Sequence, residues 1–145
     1  MFTEIMIEHH DTVGGVVYKA TMPALRDERT AKILVDGLVL GAFERALAAE
    51  VARGPVASDA LLFLRRWLGL KAQELAELLQ TTPETISRWE RGKRAVDTSA
   101  FALVARIVLE RLDGREDTLR YLRTRPALAS ATEPEPIDLG EIRVG

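Results

Sequence analysis

Residues 70–94, LKAQELAELLQTTPETISRWERGKR, constrain the fold more tightly than any other part of the chain. Two apolar patterns at helical spacing flank Gln80-Thr81-Thr82, a connection too short to let the two helices part. Leu75, Ala76 and Leu79 give the first helix, expected over 72–79, an inward face. Thr82 offers an N-cap and Pro83 a first helical position for the second, expected over 83–91, and Gly92 closes it. Ile86 and Trp89, three apart, form its buried stripe, and small Ala76 sits where the helices must approach closely. Glu84, Thr85, Ser87, Arg88 and Arg91 are left on other faces.

The neighbouring sequence is helical too. Ser58 or Asp59 can cap a helix through Leu61, Leu64 and Leu68 that stops at Gly69. A further helix is expected over 98–112 after Asp97 or Thr98 and before Gly114. A short last one carries Leu119, Tyr121 and Leu122. Ahead of these helices the pattern changes. Residues 2–9 and 15–22 are rich in β-formers, with Asp11, Gly14 and Gly15 as turn chemistry between them, so a β-hairpin is expected that Pro23 ends. A short apolar run at Ile33–Val35, a turn at Asp36-Gly37 and an amphipathic helix over 38–53 follow, with Gly54-Pro55 as a linker.

The fold class is therefore α+β. A small N-terminal hairpin and helix domain (1–54) precedes an all-α domain of four to five helices (55–124). A Pro- and acid-containing tail (125–145) follows, whose end, Ile137 to Val144, can add a strand.

Several function classes fall away on composition. The chain has no cysteine, and its only histidines, His9 and His10, point to opposite faces of a strand, so no metal site is expected. There is no glycine-rich phosphate loop and no recognisable carboxylate pair, so neither an enzyme nor a cofactor is expected. No apolar run approaches the ~18–20 residues that span a bilayer, and MFTEIMIEHH lacks the basic and apolar regions of a secretory signal, so the expected location is cytoplasmic. The net charge of −2 is unevenly spread. Residues 58–94 hold seven Lys/Arg against five Asp/Glu, and the positive charge gathers between Arg88 and Arg94.

Two short helices with this connection fit a helix-turn-helix plan, although helical hairpins are common and Glu84 with Arg88 can be a plain surface pair one turn apart. Leu75-Ala76, Thr82 and the string Ile86-Ser87-Arg88-Trp89-Glu90-Arg91-Gly92-Lys93-Arg94 resemble the Cro/phage-repressor (XRE-type) helix-turn-helix family, within residues 58–112. The resemblance implies binding to double-stranded DNA. It places Pro83, Glu84, Thr85 and Arg88 at base edges and Gln73, Thr82, Ser87, Lys93 and Arg94 at phosphates, with Glu90 in the scaffold. Two positions depart from the pattern. Ala72 stands where the family often has a phosphate-touching glutamine, and Gln80 replaces the usual turn glycine, so the turn must change form or accept strain.

The helix over 98–112 carries more apolar surface than one face can bury. Beyond the stripe of Phe101, Val104, Val108 and Leu112, the residues Leu103, Ile107 and Leu109 are expected at a homodimer interface that pairs two recognition helices on a palindromic operator, unless the N-terminal domain or the tail covers them. Over most of its length the chain also resembles the MqsA/YgiT-type antitoxin family. YKATMPALRDERTAKILVDG looks like that family's second zinc knuckle with Asp27 and Thr30 in place of cysteines. The resemblance implies an antitoxin that represses its own operon and binds a small ribonuclease toxin through residues 1–54. The other readings are a stand-alone repressor with a sensing or dimerising N-terminal domain, and a protein–protein adaptor that no longer reads DNA.

Overall fold

The structure is a computed structural model that describes residues 1–125 and 133–143. Strands β1 (Phe2–Val13) and β2 (Val16–Asp27) pair antiparallel, and β3 (Ile33–Leu34) joins the other edge of β2. Among the described residues six helices follow: α1 (Gly37–Arg53), α2 (Ser58–Trp67), α3 (Ala72–Leu79), α4 (Pro83–Glu90), α5 (Thr98–Leu112) and α6 (Asp117–Thr124). The α+β class and the bounds of α3 and α5 match the expectation. No helix of the described residues is long and apolar enough to cross a membrane. Residues 133–143 are exposed and in neither helix nor strand, so Ile137–Arg143 adds no strand to the N-terminal sheet; Val144 lies outside the described residues.

The hairpin is longer than expected at both ends. Gly14 and Gly15, with φ of +62° and +76°, form the two-residue turn whose backbone twist suits long paired strands. Pro23 does not end β2. It pairs with Met6, and alternation counted back from Val13↔Val16 points the missing N–H away from β1. On that side β3 reaches only Leu25 and Arg26, so no ladder bond is lost. After β2 the Asp27 carboxylate accepts the N–H groups of Arg29 (2.9 Å) and Thr30 (3.4 Å) and closes the turn to β3. The Arg29 N–H first, then the Thr30 hydroxyl, hold that carboxyl below the usual range.

The core runs across residue 54. Leu47, Ala48, Val51 and Ala52 of α1 lie in the same buried cluster as Leu61, Leu64, Leu75, Ile86, Val104, Val108 and Leu119. Helix α5 is enclosed by α1, α2 and α6, and Ile107, expected at a dimer surface, is 2% exposed within its own chain. Only Leu103 and Leu109 of that set stay at the surface, both half-buried.

One local expectation is corrected. The N-cap of α2 is Ala57, because Asp59 is turned to the hairpin, where its oxygens accept the Gly14 N–H at 3.1 and 3.0 Å. The expected last helix, α6, carries Leu119 and Leu122 on its buried face and Tyr121 on its exposed one.

Glu110 is a charged residue buried in the core, at 3% exposure. Its carboxylate accepts the Thr118 N–H (2.8 Å), the Thr118 hydroxyl (2.7 Å) and Arg106 Nε (3.0 Å), and so fastens the start of α6 to α5. Burial pushes the carboxyl up, but these donors outweigh it and hold it below the usual carboxylate range. The stabilisation is therefore full above the unfolded value of about 4.3 and is lost as pH falls through the folded value. Glu110→Gln is expected to cost about 1–3 kcal/mol at neutral pH and to flatten the loss of stability in acid. Urea unfolding of both proteins at neutral and acid pH checks this.

Candidate nucleic-acid interface

Helix α4 has only eight residues, too few to be stable alone, so its surroundings fix it. At its start the Thr82 hydroxyl oxygen accepts the Thr85 N–H at 3.2 Å, and Pro83 fills the first helical position. Ile86 and Trp89 bury one face. Beyond them Glu90, which the sequence places in the scaffold, meets Arg65 of α2 through two parallel bonds, from Nε at 2.7 Å and from a terminal nitrogen at 3.0 Å. The same guanidinium donates to the Leu70 carbonyl at 2.9 Å, just ahead of α3. Both side chains are largely buried, at 14% and 7% exposure.

The turn between α3 and α4 takes the strained course. Gln80 adopts the left-handed conformation, φ 53° and ψ 46°, that glycine holds without cost, and Thr81 N–H closes on the Ala76 carbonyl at 2.9 Å. The strain is of order 1–2 kcal/mol. Helix α3 begins with the Lys71 N–H donating to the Glu74 carboxylate at 3.0 Å. At the far end of α4, Gly92 has φ +70°, and the N–H groups of Lys93 and Arg94 fold back onto the Arg88 carbonyl at 2.9 and 3.3 Å. That reversal brings Lys93 and Arg94 beside the helix they follow.

The residues that sequence reading assigned to DNA gather on this surface. Thr82, Pro83, Glu84 and Arg88 are exposed along α4 and its start, with Lys93 and Arg94 exposed past its end. Gln73 is exposed in the first turn of α3. Thr85 and Ser87 are half-buried, and the Thr85 hydroxyl is engaged with that of Thr82 at 2.9 Å. Glu84 and Arg88 form no ion pair with each other. Neither head group has a side-chain hydrogen-bond or ion-pair partner among the described residues.

Residues 61–107, from α2 into α5, match the helix-turn-helix family HTH_3. This segment is a helix-turn-helix domain. The match covers about a third of the chain and takes in α3, the strained turn and α4. No curated protein matches the chain.

Sequence reading missed Arg65 as the partner of Glu90 in this domain. The pair spans 25 residues, and only the position of Glu90 within its motif hinted at a buried counter-charge. Glu90→Ala strands the Arg65 guanidinium and is expected to cost about 3 kcal/mol, whereas combining Arg65→Met with Glu90→Leu should recover much of that loss. Denaturant unfolding of the single and double variants measures the difference.

Proposed function

We propose that the protein is a sequence-specific DNA-binding transcriptional regulator, a repressor that lays α4 in the major groove of a palindromic operator as a homodimer. The observation that carries this reading is Glu84 and Arg88, unpaired among the described residues, on the exposed face of α4, flanked by Lys93 and Arg94 within a helix-turn-helix domain. The Arg88 fork suits the two acceptors of guanine, and the Glu84 carboxylate suits the amino group of cytosine. Pro83 and Thr85 lie alongside them at the base edges. Gln73, Thr82, Ser87, Lys93 and Arg94 hold the phosphates and set the docking register. The protein acts by binding and not by catalysis, in the cytoplasm.

Dimer formation is supported by a shallow apolar groove on α5, lined by Ala102, Leu103 and Leu109 with Ala52 of α1. Two-fold pairing there would set two α4 helices on matching half-sites. The fuller reading makes the protein the antitoxin and autorepressor of a type II toxin–antitoxin operon. What supports a toxin partner on residues 1–54 is the outer half of the hairpin. It leaves an open cavity of about 610 Å³ between Ile5, Met6, Leu25, Leu34 and Val39, with Met6 and Leu34 exposed. A stand-alone repressor would leave that surface to another partner. The adaptor reading is weaker, since it gives no use to Arg88, Lys93 and Arg94 together.

The experiment is a comparison of two variants on a panel of operator variants. Arg88→Ala should relax specificity at one base position per half-site, at a cost of about 1–3 kcal/mol on the preferred sequence. Lys93→Ala should weaken all sequences alike and reduce the salt slope by about one. Identical behaviour of the two across the panel would overturn the assignment of roles.

A further inference from the structure

A second cavity, of about 530 Å³, lies where β1, α1 and α2 meet, and no residue of α4 lines it. It is open to solvent, and its volume falls within the range of small-ligand sites. Three aromatic side chains line it, Phe43 from α1 and Phe63 and Trp67 from α2, each packed on the core yet only half-buried. The His9 ring stands edge-on to Phe43 with centroids 4.9 Å apart, and its Nε2 lies 3.3 Å from the Asp11 carboxylate, which fixes that wall.

The charge of the lining is lopsided. Asp11, Glu44 and Asp59 contribute three carboxylates against the single guanidinium of Arg66. Asp59 is occupied by the Gly14 N–H, and Asp11 faces His9. Glu44 makes no side-chain hydrogen bond or ion pair among the described residues, and it sits one residue from Phe43 on α1. Aromatic faces and carboxylates attract the same kind of ligand, because a ring face carries negative electrostatic potential. A neutral apolar ligand would gain nothing from the acidic rim, and an anion would meet a lining with more carboxylates than cations.

We propose that this cavity is a binding site for a lipophilic organic cation, with its apolar body against Phe43, Phe63 and Trp67 and its charge beside Glu44. Trp67 and Arg66 stand in the last turn of α2, directly after Arg65, which holds Glu90 of α4. Occupancy therefore bears on the turn of helix that orients the recognition surface. That regulatory use rests on the DNA-binding reading; the ligand preference of the cavity does not.

The test is calorimetric titration of the full-length protein with tetraphenylphosphonium and with tetraphenylborate, which share shape and apolar surface but differ in charge. Tetraphenylphosphonium should bind at least about ten-fold more tightly. Glu44→Gln should weaken it about five-fold, and Glu44→Lys should reverse the preference. Glu44 is exposed, so both variants should melt as the parent does. Equal binding of the two ions, no binding of either, or an unchanged affinity in Glu44→Gln would overturn the proposal.

Discussion

The orientation of α4 depends on the Arg65–Glu90 pair. Ile86 and Trp89 hold the helix against its neighbours, but two apolar side chains allow a short helix to roll. A bidentate ion pair does not, because both bonds keep their lengths only at one angle. The Arg65 guanidinium also binds the Leu70 carbonyl, so one side chain ties α2, the entry to α3 and the end of α4 together. A buried pair of this kind contributes little net stability compared with an apolar substitute. Its value lies in the roll angle, which decides that Glu84 and Arg88 face outward while Ile86 and Trp89 face inward.

The same pair shapes the local field. Glu90 neutralises Arg65, so the positive charge at this face comes from Arg88, Arg91, Lys93 and Arg94, all exposed. The backbone reversal at Gly92 places the last two beside the helix end. An overall charge of −2 is then no obstacle to phosphate contact, since screening at physiological salt limits the reach of distant carboxylates to about 8 Å.

How much was legible in the sequence follows from how local each signal is. The caps at Thr82 and Asp97, the proline at the first position of α4 and the glycines after α4 and α5 act within a few residues, and the helices they bound stand where the sequence placed them. That Gln80 must change the form of the turn or strain it was legible for the same reason; which of the two was not. Long-range partners were not. Asp59 caps nothing in α2 because it reaches Gly14, 45 residues away, and Arg65 carries no mark of Glu90. The hairpin ran past Pro23 because the cost of proline depends on which side its nitrogen faces, and only the register decides that. Of the interface residues, the exposed positions of α4 were legible from helical spacing. The inward turn of Ile107 was not, since it required knowing that α1, α2 and α6 all pack on α5.

The central claim is that α4 reads duplex DNA, and the most direct measurement is a binding titration. It uses the intact protein and the DNA upstream of its own gene, at about 50 and 200 mM salt, with random duplex as competitor. The account predicts binding that survives the competitor, tighter than to random DNA by about a thousand-fold or more, and that weakens as salt rises. Affinity no greater than for random duplex at both salt concentrations would contradict it.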